Sequence, residues 1–224
     1  YLCVDGTYLA FRSFYGVKPL ENNNHLPVDA IYGFFNTLLS LEQLIHWQHL
    51  LIFFDCSRSK KRLELLEDYK ANRAETPEDF KVQLPYIKQL TTAWGAACIE
   101  RMDVEADDLI GTWAHFATEN QQNVVILSSD KDLMQCVNPY VHQMIRTPDN
   151  WHLLNATRVF EKMQVTPEQI VDYLALVGDS IDHYEGLPGV GPKTAANWLK
   201  QYGSLEKILL ILLNNPILKP PSLY

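Results

Sequence analysis

The sequence predicts an α/β fold: a mostly parallel central sheet flanked by helices, followed by an all-helical C-terminal part. Short apolar runs of strand length alternate with longer amphipathic stretches, the pattern of strands joined by helical crossovers. Beyond Asn155 the strand-like runs stop and only helical periodicity continues. Together these divide the chain into a core, residues 1–155, and a helical part, residues 156–224, with no internal repeat or low-complexity tract between them.

Each element has a local reason. Residues 2–4 form a first apolar strand, closed by Asp5. Residues 28–45 are long and apolar along one face, so they predict a helix. Residues 50–54 are a second strand, ending at Asp55. Thr76 as N-cap and Pro77 in the first helical position predict a helix over 77–94. Residues 96–99 are a third strand. Residues 104–118 place Ala106, Ile110, Trp113 and Ala117 at helical spacing. Val124–Leu127 is a fourth strand, with weaker ones near Val141 and His152. In the C-terminal part Pro167 opens a helix over 168–177, and a glycine-rich hairpin at 186–191 precedes a helix over 192–201.

Composition narrows the function. The chain has 224 residues, 47% hydrophobic and 21% charged, which excludes disorder, a collagen-like chain and a disulfide miniprotein. No apolar run is long enough to cross a bilayer, so no membrane partner is expected. Cys3, Cys56, Cys98 and Cys136 form no C-x-x-C pair and read as reduced thiols of a cytoplasmic protein. Tyr1 rather than Met opens the chain, which reads as a trimmed N-terminus in which no signal or transit peptide can be read. The formal charge of −8 argues against a nucleic-acid partner unless the acids are concentrated in one place.

The acids are concentrated. Asp5, Asp55 and Asp130 each follow a strand, and in open α/β sheets the carboxyl ends of strands form the ligand-binding rim. Glu105, Asp107 and Asp108 crowd one helix start, Asp132 follows Asp130 by two residues, and Asp179 and Asp182 precede the hairpin. Any one of them could be a turn residue or a helix cap. Capping, however, needs one acid per helix, not three in four residues together with D-x-D and D-x-x-D. Carboxylates this dense raise one another's pKa unless a cation intervenes. Oxygen-only ligands without His or Cys select Mg²⁺ or Mn²⁺ over Zn²⁺. Two such ions about 4 Å apart would clamp the attacking and leaving oxygens of a phosphodiester displacement. Setting aside nine of the 27 acids leaves the other 18 balanced against 19 bases, so the net negative charge is that of the acid cluster.

Two further segments complete the pattern. In EGLPGVGPKTAANWL, Gly189 and Gly191 allow a tight turn and Pro192 starts a helix whose free N–H groups, with Lys193, Thr194 and Lys200, suit a DNA phosphate. Arg58, Lys60, Lys61, Arg62, Lys70, Arg73 and Lys81 share their segment with six acids, which by charge alone is a solvated helix. Its position directly after Asp55 puts it at the acidic rim, where Lys70 and Arg73, three apart on one helix face, could hold a phosphate. VDGT is similar to the D-x-D-G-T motif of haloacid dehalogenase phosphatases, but Cys3 stands where that nucleophile must be.

The ordered set VDGTYLAFRSFY, FFDCSRSKKRLELLEDYKANR, VEADDLIGT, SSDKDLMQ and LALVGDSIDHYEGLPGVGPKTAANWL resembles the 5′ nuclease family, the 5′ to 3′ exonuclease domain of bacterial DNA polymerase I and the flap endonucleases. The resemblance implies a PIN-like nuclease core with a helix-three-turn-helix subdomain. It implies a first metal site of Asp5, Asp55, Glu105 and Asp107, with Asp108 beside it, and a second of Asp130, Asp132, Asp179 and Asp182. The cofactors would be two or more Mg²⁺, replaceable by Mn²⁺, with K⁺ at the hairpin. Arg62, Tyr69, Lys70 and Arg73 match a basic arch, about residues 57–82, that handles a 5′ single strand. Lys70 and Arg73 would act with Asp5 and Asp107 in catalysis. Phe11 would stack on a base, with Arg12 following it, and Gly189, Val190, Gly191, Lys193 and Thr194 would grip duplex DNA. The expected partners are DNA with a 5′ flap or end at a duplex junction and a polymerase domain in cis or in trans, with the chain itself a monomer. His183 departs from the Asn of many relatives. A catalytically silent junction-binding module and a metal-dependent ribonuclease with a similar core are the competing readings. The first would retard DNA without cutting it, and the second would prefer RNA.

Overall fold

A computed structural model describes residues 1–57, 59–71, 75–147 and 149–214. Its centre is a six-stranded sheet in the order β3-β2-β1-β4-β5-β6, formed by β1 (Leu2–Asp5), β2 (Leu50–Asp55), β3 (Ala97–Arg101), β4 (Val124–Leu127), β5 (Val141–Arg146) and β6 (Trp151–Leu154). All neighbours are parallel except β5 and β6, which pair antiparallel at one edge. The predicted fold class is the observed one.

Alternation along the strands decides what packs on each face. Leu2, Val4, Ile52 and Phe54 point to the face covered by α1 (Gly6–Gly16), α2 (Asp29–Glu42) and α4 (Glu78–Ala93), against Leu9, Phe34, Leu38, Phe80 and Ile87. Cys3, Leu51, Phe53 and Ile126 point to the other face, covered by α5 (Ala106–Glu119) through Ala106, Ile110, Ala114 and Ala117. Chain order reverses between β1 and β4, which makes the carboxyl ends of these two strands the sheet's switch point and its natural ligand crevice.

The C-terminal helices α6 (Ala156–Met163), α7 (Ile170–Val177), α8 (Pro192–Tyr202) and α9 (Leu205–Asn214) share a third cluster, in which Val159, Ile170, Leu176, Ala195 and Leu199 pack with Met134, Val137, Ile145 and Leu154 of the sheet region. The part beyond Asn155 is not all helical as expected: a two-stranded antiparallel hairpin, β7 (Gly178–Asp179) and β8 (Tyr184–Glu185), precedes α8, its backbone paired across a short turn. Gly178 has φ +80°, and a Cβ added there would lie 2.3 Å from the Gly186 nitrogen, so the two ends of this hairpin approach as only glycines can.

Several local expectations are corrected. Residues 6–16 form a helix that apolar spacing does not announce, because much of its buried face is Gly6, Ala10 and Ser13. Pro77 occupies the N-cap position rather than the first helical one, and the helix begins at Glu78. Among the described residues, the basic segment ahead of α4 forms only a short helix, α3 (Lys60–Leu65), so Lys70 is not on a helical face. Lys70 has φ 56°, and its N–H reaches the Asp182 carbonyl at 3.2 Å, a tertiary bond that bends the chain away from helix. Arg73 lies outside the described residues. His183 has φ 58°, a left-handed conformation to which His and Asn are both suited, which accounts for the exchange.

Candidate functional site

One cavity opens at the switch point, and a second lies next to it between α5 and residues 132–138. The larger, about 620 Å³, is lined by Asp5, Asp55, Glu105, Asp107, Asp130, Asp179 and Asp182, seven of the nine acids, together with Lys70, Lys131 and Phe11. The smaller, about 400 Å³, takes in Asp108 and Asp132 beside Asp107 and Arg62.

Several of the acids are positioned by a backbone N–H that bonds their carboxylate. Asp5 Oδ1 accepts from the Tyr8 N–H at 2.9 Å, so it caps α1, while its Oδ2 accepts from the Ser128 hydroxyl at 3.1 Å. Asp55 Oδ1 accepts from the Ala106 N–H at 2.8 Å, which ties the end of β2 to the start of α5. Glu105 is the N-cap residue of α5, with Asp107 and Asp108 in the first turn. Asp130 Oδ1 accepts from the Asp132 N–H at 2.9 Å, and Asp179 Oδ1 from the Ile181 N–H at 2.9 Å. The structural roles open to single aspartates are therefore real here, and they coexist with convergence.

Side-chain cations of the protein hold the cluster together. The Arg62 guanidinium reaches Glu105, Asp107 and Asp108. Lys70 Nζ lies 2.8 Å from Glu105 and 3.9 Å from Asp182, spanning the two groups of acids. The Tyr69 hydroxyl donates to Glu105 at 2.9 Å, so this buried ring faces inward. Lys131, between Asp130 and Asp132, pairs with Asp179 at 3.1 Å. Ser128 also escaped the sequence reading. Its hydroxyl accepts from the Asp130 N–H at 3.2 Å and so couples Asp130 to Asp5; the only trace in sequence is a serine ahead of S-D-K-D.

Electrostatics follow from burial and crowding. Burial pushes Asp5 up to about 7, with Asp55 and Asp130 adding repulsion against the bond from Tyr8. Asp132 rises to about 6 through burial and the charges of Asp130, Asp182 and Asp179. Burial also raises Asp107, against the opposing charge of Arg62. Glu105 moves the other way, because the bonds from Lys70 and Tyr69 and the charge of Arg62 outweigh its burial. Asp5 and Asp132 bind protons more tightly folded than unfolded, so metal-free stability falls as pH rises from about 4 to about 7. Glu105 contributes in the opposite sense only near and below pH 4.5. In EDTA the melting temperature should drop between pH 5 and pH 7.5, and the drop should shrink in Asp5→Asn; a flat profile would contradict this electrostatic picture.

The remaining predicted residues are more scattered. Phe11 lines the larger cavity, but one face of its ring stacks on Phe80 at 4.0 Å. Arg12 lies over the Trp151 indole, 5.7 Å from its centroid, and lines neither cavity. At the hairpin Gly189 has φ +79° and Val190 is buried. Gly191 is an extended N-cap of α8, with Lys193 exposed in the first turn beside half-buried Thr194.

The donor set fits a hard divalent cation: every oxygen comes from a carboxylate, and Asp132 Oδ1 is buried with no hydrogen-bond partner among the described residues. Among the described residues, no three His, Cys, Asp or Glu side chains are gathered tightly enough to ligate one ion as they stand, which accords with the hold of Arg62, Lys70 and Lys131 on the acids.

A family model described as the N-terminal resolvase-like domain of 5′-3′ exonuclease matches residues 1–164, and one described as its C-terminal SAM fold matches residues 165–216. The 5′-3′ exonuclease of Aquifex aeolicus is 41% identical over 206 residues, covering 92% of this chain and 71% of that protein. DNA polymerase I of Rhizobium leguminosarum is 40% identical over 214 residues, covering 92% of this chain but 21% of the polymerase, so the chain spans about a fifth of that relative. Among solved structures, zinc-bound T5 5′-exonuclease superposes with a TM-score of 0.79 at 24% identity, over 94% of this chain and 78% of that one. The catalytic core of Rad2 in complex with DNA substrate gives 0.65 at 16% identity, over 97% and 66%. These structures share its fold. No helix among the described residues is long and apolar enough to cross a membrane.

Proposed function

The chain belongs to the 5′-3′ exonuclease family, and from that premise we propose that it is a Mg²⁺-dependent, structure-selective nuclease. It removes 5′ single-stranded ends or flaps from DNA where they meet duplex, in replication and repair in the cytoplasm. The observation that carries this reading is the convergence of seven carboxylates and Lys70 on one cleft at the sheet's switch point. T5 5′-exonuclease, which shares this fold, was crystallised with divalent metal ions and the Rad2 core with DNA, which supports both ligands.

Asp5, Asp55, Glu105 and Asp107, with Asp108 beside them, would hold one ion, and Asp130, Asp132, Asp179 and Asp182 the other. Bound there, Mg²⁺ or Mn²⁺ would supply Lewis-acid activation of water and neutralise charge developing on the phosphate oxygens. Arg62 and Lys70 would release their carboxylates and turn to the scissile phosphate, charge-assisted donors aimed at the anionic transition state. Residues 57–82, which include Arg73, would guide the 5′ strand over the cleft, and Phe11, on the cleft wall, would meet a base. Residues 156–224 would grip duplex DNA, with the N-terminus of α8, Lys193 and Thr194 on the phosphates. A polymerase domain in cis, as in the polymerase I relatives, is the natural supplier of such flaps.

A 5′-flapped duplex given Mg²⁺ or Mn²⁺ should be cut near the junction, faster than an RNA flap, and left intact in EDTA. Retarded but uncut DNA in both metals would establish the silent binding module, and preferential cutting of RNA the ribonuclease.

A further inference from the structure

The loop that carries Asp130 and Asp132 is held from beneath by a residue outside the acid cluster. Gln143, in the middle of β5, is fully buried. Its Nε2 donates to the backbone carbonyls of Ser128 at 2.8 Å and Asp130 at 2.6 Å. The regular β4–β5 ladder ends at Leu127 and Met144, so beyond it the Gln143 side chain continues the pairing that backbone no longer supplies. The two carbonyl partners assign the orientation of the amide, because only its NH₂ end can match both. Its Oε1 is then left buried without a hydrogen-bond partner among the described residues. An unmatched buried oxygen is a cost that an apolar side chain of the same length would avoid. What Gln143 alone supplies is the pair of N–H bonds to the loop.

Those bonds reach the acids in one step. Ser128 donates to Asp5 Oδ2 and accepts from the Asp130 N–H, and Asp130 Oδ1 accepts from the Asp132 N–H. We propose that Gln143 is a positioning residue for the bound divalent metal. By fixing the Ser128 and Asp130 carbonyls it sets the aim of Asp130 and Asp132 and, through Ser128, their separation from Asp5. This inference rests on the metal-binding reading of the acids. Groups that orient metal ligands in this way typically change affinity by about 10–100-fold when lost.

The test is Gln143→Met, which keeps length and volume and removes the N–H donors, with Gln143→Leu as a second variant if the first folds poorly. Mn²⁺ uptake by the full chain without DNA is read directly from the free-ion electron paramagnetic resonance signal. The wild type should bind Mn²⁺ and Gln143→Met should bind it about tenfold or more weakly. Flap cleavage by the variant should then need correspondingly more Mn²⁺ and recover as the metal saturates. Val141→Ala, buried on the same strand with no side-chain bond to the loop, should lower the melting temperature and leave Mn²⁺ affinity unchanged. Wild-type Mn²⁺ affinity in Gln143→Met, or equal weakening in Val141→Ala, would overturn the positioning role. A wild type that takes up no Mn²⁺ would overturn the metal reading itself and this inference with it.

Discussion

Asp5→Ala is expected to reduce cleavage of a 5′-flapped duplex by on the order of 10³-fold or more, the loss of several kcal/mol of metal-borne transition-state stabilisation. Asp5 sits at the end of β1 against the switch point, and no other side chain occupies its place between Tyr8 and Ser128. The same residue caps α1, so the alanine variant also loses about 1 kcal/mol of stability from the missing cap. Asp5→Asn separates the two effects, because an amide oxygen can still accept from the Tyr8 N–H while the ligand charge is gone. Its melting temperature at pH 7.5 should equal or exceed that of the wild type, since it removes a carboxylate whose burial disfavours ionisation. Substantial cleavage by either variant in Mg²⁺ would remove Asp5 from the metal site.

Lys70→Ala should slow the single-turnover rate by about 10²–10³-fold, the range seen when one preorganised donor to a developing anion is lost. Lys70 is nearly buried, and its ammonium lies by acids of both groups, Glu105 and Asp182. Glu105 keeps Arg62 and Tyr69 as partners in the variant, so the fold should survive. Flap binding measured in Ca²⁺ should weaken by far less than the rate. If lost binding accounts for the whole effect, Lys70 anchors the strand and takes no part in the chemistry.

The sheet and its acids were legible because they are written in short-range pattern. Leu2, Val4 and Cys3 alternate between faces, and Asp5 ends that run just as Asp55 ends the next. Helix α1 was not legible, since Gly6, Ala10 and Ser13 leave too little apolar periodicity to detect. The turn at Lys70 was misread as helix because its backbone obeys a bond to Asp182, a residue far along the chain. Arg12 stands next to Phe11 in the family motif, and because a helix turns adjacent residues apart its guanidinium lies over Trp151.

From residues alone came the inventory: nine acids without His or Cys, their grouping at strand and helix ends, and the glycine hairpin, all set by neighbours within a few positions. Tertiary structure decided what sequence spacing does not contain. It placed seven of the acids in one cavity and two in the next. It chose Arg62, Lys70 and Lys131 as their counter-charges, and it brought Gln143 beneath a loop on the neighbouring strand. Those outcomes depend on desolvation and on bonds between residues distant in the chain, and such terms exist only once the sheet has assembled.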